Sequence, residues 1–436
     1  MLLDNRTQVW GYVRRILIAY FVLLAVFLSS LTLSSLIPSA LIRQNIGSSL
    51  PTLESEGTYP SFGVPWRRIV LDNFTDSLML NTAYTVDSHR PFRSALVNNR
   101  FEGITDNVNQ ITNLKNGYLH YNVSEVTYER YWHGYLVFLR PLLLFVSYPG
   151  IRNILTFLLN AAFIWFIYLC FKKLGIKKTV CFILGFLSVD FFYLGRSLQF
   201  SDVFLVGLSA AIYLLRKYQP HQRPFLLFFI VGGLTSFFDL LTAPLVSLGI
   251  PLIVISSLNR EKLKNILSYC LSWSAGYLLL WYSKWLIVDR LFLPGAIANS
   301  FYHVINRTVT RVDPNFNQFN AVRLNLFQLL GHDPVNKAIV VIFGGILLGL
   351  WLKYLSFKRV GLENILPWIV IGLIPYAWYV IAASHSYLHV WFTYRNQLQS
   401  VVSLFLIMAE FVDWPRLSRD FSSTRLTLSQ FVAKYH

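Results

Sequence analysis

The sequence predicts an all-α polytopic membrane protein with about ten transmembrane helices and a large first outer loop. Of its 436 residues, 55% are hydrophobic and only 14% charged. A soluble globular chain carries about 25% charged residues, so this one has too little polar material to coat a water-facing surface. The mean hydropathy is +0.48, and apolar runs near the length that crosses a ~30 Å hydrocarbon core recur along the chain. The cations cluster between those runs, where the positive-inside rule assigns them to cytoplasmic connections.

The first helix runs from about Ile16 to Ile37 behind Arg6, Arg14 and Arg15, which places residues 1–37 as a cytoplasmic amino terminus and a retained first span. Residues 38–135 form a polar stretch too long for a simple connector, assigned to the outer side. The transmembrane core, 136–288, opens with a short amphipathic piece from Leu136 to Tyr148. A span from Ile151 to Phe171 follows, closing on Lys172, Lys173, Lys177 and Lys178. Thr179 to Tyr193 goes out and Val203 to Leu215 returns to Arg216, Lys217 and Arg223. Phe225 to Phe238 and Leu245 to Leu258 form another out-and-back pair closing on Arg260, Lys262 and Lys264, and Ile266 to Val288 goes out.

A second outer stretch, 289–337, is polar and Asn-rich and is expected to be a mobile loop over the outer surface. Residues 338–411 hold the last spans, with Lys358 and Arg359 at an inner turn, and 412–436 form a cytoplasmic tail. His221 is read with the inner cations as a topology signal. No repeat of fixed period appears. Cys170, Cys181 and Cys270 lie inside apolar runs without metal or redox spacing and read as buried apolar side chains.

The formal net charge of +17 raises the question of nucleic acid. Cations distributed among short inner connections answer it: they set topology and face anionic lipid, so no nucleic-acid partner is expected and the bilayer is. The inner connections are short and carry no phosphate-binding glycine loop. Chemistry therefore belongs on the outer face.

That face collects ionisable groups, which are costly near a membrane unless paired or used. Asp72 and Asp76 lie four apart in Asp72-Asn73-Phe74-Thr75-Asp76, on one side of a helix; the same pair also suits a helix start, where carboxylates meet a favourable dipole. Arg130 and His133 stand in Arg130-Tyr131-Trp132-His133, as a site or as interfacial anchors. Arg196 sits at the next outer turn. Asp239, in Phe238-Asp239-Leu240-Leu241-Thr242-Ala243-Pro244, is a base or a helix cap. His389, Tyr394 and Arg395 close the set as substrate contacts or as a headgroup belt. Lys284 is expected to reach out to the interface, and Asn306-Arg307-Thr308 is a glycosylation sequon with meaning only in a eukaryotic secretory pathway. A carboxylate that accepts a hydroxyl proton, with guanidinium groups that neutralise a departing phosphate, makes acid–base transfer from a lipid phosphate possible.

These motifs resemble the GT-C superfamily of integral-membrane glycosyltransferases, nearest to bacterial members of the dolichyl-phosphate-mannose-protein-mannosyltransferase-like type. The resemblance spans most of the chain as architecture, through short motifs. It implies a GT-C-like fold in the cytoplasmic membrane and inverting transfer of a sugar from a polyprenyl-phosphate-linked donor to a cell-surface glycan, lipid or protein acceptor. Asp72 is then the first choice of base and Asp76 the second. Arg395 takes the phosphate, with His389 or Arg196 as helpers. The sequence departs from the family pattern in placing Asp72 about 35 residues beyond Ile37, which leaves Asp239 as a rival. A divalent metal between Asp72 and Asp76 is an open possibility. Two other classes are carried beside this one: a polysaccharide polymerase or ligase using lipid-linked glycan, and a precursor flippase or transporter. The last needs ionisable groups along a path through the membrane, where the sequence shows almost only apolar residues.

Overall fold

The computed structural model describes residues 2–64, 67–104, 109–219, 223–308, 312, 314, 316–331, 333–356 and 360–420, with the side chains of residues 2–9, 67 and 68 left aside. His221, Lys358, Arg359 and the tail beyond residue 420 lie outside the described residues.

The apolar runs are helices, with ends close to those their composition predicts. α1 covers Leu2–Ser35, and α2 covers Ser39–Glu56. The stretch read as a long outer loop is a folded layer. After α2 come the hairpin β1 (Ser61–Val64) and β2 (Arg67–Val70), then α3 (Asn73–Tyr84), α4 (Pro91–Val97) and β3 (Arg100–Gly103). The layer closes with α5 (Gln110–Leu119) and β4 (Val123–Val126), which pairs antiparallel with β3. Its polar residues are the helix and turn formers that make this possible. Asp72 and Asn109 cap α3 and α5 by accepting from the N–H groups of Thr75 and Thr112. Ile42, Ile46, Leu53, Leu80, Leu96 and Leu114 bury against Phe27, Trp132 and Tyr135 in one apolar cluster.

α6 (Leu136–Leu142) leads into α7 (Tyr148–Leu174), which ends at Gly175 with φ 81°, a left-handed stop that glycine takes without strain. α8 (Ile176–Ser188), a 3₁₀ turn (Phe191–Arg196), α9 (Leu198–Lys217), α10 (Phe225–Phe238), α11 (Leu245–Asn259) and α12 (Leu263–Leu291) complete the central bundle. α10 and α12 cross in close contact because Gly232 and Gly276 carry no Cβ. A methyl at either would lie 2.0 Å from the carbonyl oxygen of Trp273 or Phe229. Where a mobile loop was expected in the second polar stretch, its described residues form α13 (Ala296–Thr308) and α14 (Gln318–Gln328). α15 (Pro334–Lys353), α16 (Leu362–Ile381), α17 (Ala383–Leu388), α18 (Val390–Thr393) and α19 (Leu398–Glu410) follow.

Among the described residues five helical segments are long and apolar enough to cross a membrane: Trp10–Ser35, Tyr148–Leu174, Leu198–Lys217, Pro334–Lys353 and Leu362–Ile381. α10 and α11 are apolar but shorter. Large apolar side chains stand outward along the spanning segments, among them Phe21, Phe157, Ile164 and Ile342, each more than 60% exposed. A water-soluble surface does not tolerate apolar exposure on that scale; a bilayer solvates it. The chain is an all-α membrane protein.

Candidate functional site

The folded layer meets the bundle at α9. Asp72 and Asp76 both face that helix. Asp76 is fully buried; its Oδ1 accepts from Ser197 Oγ and Leu198 N at 3.0 Å and Gln199 N at 3.3 Å, and its Oδ2 accepts from Tyr148 Oη at 2.6 Å. A carboxylate at the first N–H groups of α9 satisfies donors the helix leaves unpaired and complements its dipole. Asp76 was expected as a second choice of base; here it anchors α9 and, fully buried, does not line the cleft that Asp72 lines.

Asp72, one turn earlier, accepts three bonds: Oδ1 from Thr75 N at 2.9 Å, and Oδ2 from Gln199 Nε2 at 2.6 Å and Thr75 Oγ1 at 3.1 Å. Unlike Asp76, it lines a cleft of ≈ 290 Å³. Burial is the main cause that lifts its pKa to about 6, opposed by the Thr75 and Gln199 hydrogen bonds and helped by Asp76. Such a carboxyl is ionised at neutral pH and poised to take a proton.

Three guanidinium groups from three elements converge on the same cleft: Arg100 of β3, Arg130 after the layer and Arg307 near the end of α13. Arg100 bonds Glu102 at 2.9 Å. Arg130 packs over the Tyr128 ring at 4.5 Å, with Nη1 at 3.1 Å from His303 Nε2. Arg307 donates from Nη1 to the carbonyl of His303 at 3.1 Å. Neither Arg130 nor Arg307 has a carboxylate within ion-pair distance among the described residues. With three guanidinium groups against the Asp72 carboxyl, the cleft carries a net positive charge.

His385 and His389 form its far wall, with ring centroids 4.7 Å apart. Burial holds His389 down at about 4, with Arg307 adding to the effect, and holds His385 well below the usual imidazole range. Both are neutral at pH 7, so His389 lines the cleft as expected but as a hydrogen-bonding ring, not as a cation. His385 Nε2 lies 2.8 Å from the carbonyl of Leu241, which stands at φ 68° in the turn after α10. A bulky Leu held left-handed is a strained position, and this one lies between two cavities: Leu240 lines the polar cleft and Leu241 the next.

That second cavity, ≈ 210 Å³, is lined almost wholly by apolar side chains, including Trp273, Tyr277, Trp281 and Trp378. Arg307 and His385 line both. The two adjoin through that shared wall, a cationic compartment beside an aromatic groove, and together form the joined candidate site.

Six of the expected site residues lie outside this cleft. Asp76 is the first. Asp239 is buried beneath it, its Oδ1 accepting from Thr242 N at 2.9 Å and its carboxyl lifted by burial to about 7. Arg395 is 1% exposed behind the wall, its guanidinium over Phe200 at 4.1 Å and donating to the carbonyl of Trp391 at 3.1 Å. Tyr394 is buried and donates to Asp190 at 2.7 Å. Arg196 is exposed, over the Phe62 ring at 5.5 Å. His133 is fully buried between Tyr135 Oη (2.9 Å) and the carbonyl of Tyr128 (2.8 Å), held neutral by burial and by Lys284. Lys284 points inward, donating to Asn98 Oδ1 and the carbonyl of Tyr131, where a snorkelling side chain was expected. Asp72, Arg130 and His389 are the expected residues that meet.

Asp72 and Asp76 do not make a divalent site. The oxygens of Asp76 receive N–H and O–H donors, whose positive ends oppose a cation. Among the described residues no group of three His, Cys, Asp or Glu side chains is set to hold a metal. Comparison of the chain with protein-family models, with curated proteins and with solved structures returns no match.

Proposed function

We propose that the protein is a membrane glycosyltransferase that takes a sugar from a polyprenyl-phosphate carrier, with a GT-C-like arrangement of about ten spans and its cleft on the outer face of the cytoplasmic membrane. The observation that carries this reading is the joined site: three guanidinium groups and one poised carboxyl beside an aromatic groove, with Arg307 and His385 at the junction. A phosphate on a long apolar chain has that shape and charge. The acceptor's hydroxyl gives its proton to Asp72 while its oxygen bonds the anomeric carbon. The carbon–oxygen bond to the phosphate breaks, and the lipid phosphate leaves with the electron pair toward Arg130 and Arg307. Tyr131 and Trp391 on the cleft wall suit the flat faces of a sugar ring. The acceptor is a cell-surface glycan, lipid or protein.

A second reading, a flippase for a lipid-linked precursor, is favoured by one observation. Asp202, Asp239 and Gln399 are buried, each with a side-chain oxygen that has no hydrogen-bond partner among the described residues, so the core is more polar than the sequence predicts.

Binding separates the site from the rest of the surface. Titration of the purified protein with an unlabelled polyprenyl phosphate, followed by tryptophan fluorescence, is expected to saturate, and Arg130→Gln with Arg307→Gln to weaken it at least about tenfold. Equal affinity for the dephosphorylated polyprenol contradicts the reading. Labelled sugar appearing on the acceptor identifies the transferase, whereas intact donor moved between leaflets identifies the flippase.

A further inference from the structure

α11, α16 and α19 each run from the cleft to a third cavity at the other end of the bundle. Leu240 and Leu241 precede α11, Trp378 and Ile381 end α16, and Phe392 precedes α19, all at the joined site. Ser256 and Arg260 end α11, Asn364 and Trp368 begin α16, and Glu410 ends α19, all at the third cavity. On α16 the lining residues of the two ends, Trp368 to Trp378 and Asn364 to Ile381, are separated by about 15–26 Å at 1.5 Å per residue, most of a hydrocarbon core of about 30 Å. The third cavity therefore stands toward the opposite membrane interface from the joined site.

It encloses ≈ 250 Å³ and gathers Lys177 and Lys178 of α8 with Arg260. Among the described residues none of these cations has a carboxylate within ion-pair distance. The Lys177 ammonium lies over the Trp414 ring at 4.3 Å, Lys178 donates to the carbonyl of Ser257 at 2.7 Å, and Arg260 donates to Asn364 at 2.9 Å. Ser256 is 1% exposed, lines the cavity, and its hydroxyl has no hydrogen-bond partner among the described residues. Three cations against two carboxylates leave the wall with a net positive charge, and with the unsatisfied Ser256 hydroxyl it suits an oxyanion. Glu363 and Glu410 also line it; they favour a ligand that carries hydroxyl or ammonium donors beside its phosphate.

We propose that this cavity binds a phosphate group, supplied by the headgroup of an anionic phospholipid of the leaflet opposite the cleft. Lys177 and Arg260 clamp the phosphate, Ser256 donates to it, and Trp368 and Trp414 sit at the level where acyl chains begin. Basic pockets between helix ends are the common form of headgroup recognition, and interfacial Trp is its usual neighbour. The site is separate from the proposed donor site, and neither depends on the other.

The test is native mass spectrometry of the full chain in detergent, titrated with phosphatidylglycerol, with diacylglycerol as the phosphate-free control. Phosphatidylglycerol is expected to bind as a discrete adduct and diacylglycerol not. Lys177→Gln and Arg260→Gln are each expected to weaken binding about fivefold, and Arg216→Gln, an exposed inner cation outside the cavity, to leave it unchanged. All three are substitutions of exposed residues, and unchanged thermal unfolding without lipid checks their folding. Displacement of the lipid by millimolar inorganic phosphate assigns the site to a soluble phosphate compound, and resistance assigns it to the lipid. Equal binding of diacylglycerol, or equal loss in Arg216→Gln, overturns the proposal.

Discussion

At Asp72 one residue serves two ends that conflict. As the cap of α3 it accepts from Thr75 N, and as a cleft residue it is buried and lifted to about 6. A folded-state pKa above the unfolded value means that the native protein binds the extra proton. The stability this confers is complete below about 3.8 and is lost as pH rises through about 6. Asp72→Asn keeps a capping side chain and removes the buried charge, so it is expected to raise the unfolding temperature at pH 7.5, by the equivalent of up to about 3 kcal/mol, while transfer falls on the order of 10²-fold or more. The stabilisation should vanish by pH 4; a destabilised Asp72→Asn at pH 7.5 contradicts the assignment. Wild-type activity should fall as pH drops below about 6, because the base is then protonated. Asp76→Ala has the opposite profile. It strips the donors of Ser197, Leu198 and Tyr148 of their acceptor and should cost about 3–5 kcal/mol, read as lost expression or lowered unfolding temperature. Spacing alone placed both carboxylates on one face but did not reveal what meets that face, since Ser197 and Gln199 lie more than 120 residues along. Arg307 was hidden inside a sequon and Arg100 in a polar stretch, because their role depends on contacts between distant segments.

The helices were legible from apolar runs, with α10 and α11 beginning where hydropathy places them. The folded layer was not, because its core is assembled from short pieces whose apolar residues are sparse in sequence and cluster only when α2, α3 and α5 pack on α1 and α6. Nor was the cleft between α13 and α17, since a polar, Asn-rich segment carries the same composition whether it forms α13 and α14 or a loop. The α10–α12 contact gives a sharp test at this scale. Gly276→Val places a branched side chain against the carbonyl of Phe229, and the helices must separate. Overpacking of this kind costs about 1–3 kcal/mol or more, so the variant should unfold at lower temperature, with Gly344→Val, where a Cβ meets open space, as a neutral control. Equal unfolding temperatures would mean that α10 and α12 do not cross as described.

Across the whole molecule, α11, α16 and α19 hold an amphipathic cleft at one end and a cationic cavity at the other. A cationic cleft holding the Asp72 carboxyl beside an aromatic groove is the arrangement on which the proposed transfer from a lipid-borne donor rests. The most direct test is sugar transfer by the purified protein in lipid nanodiscs from radiolabelled polyprenyl-phosphate sugars. The account predicts loss of lipid-linked label with wild type and no turnover in Asp72→Ala or in Arg130→Gln/Arg307→Gln, while Arg196→Gln, outside the cleft, retains it. Wild-type turnover that persists in Asp72→Ala, or folded wild type inert toward every monophosphate donor, contradicts it.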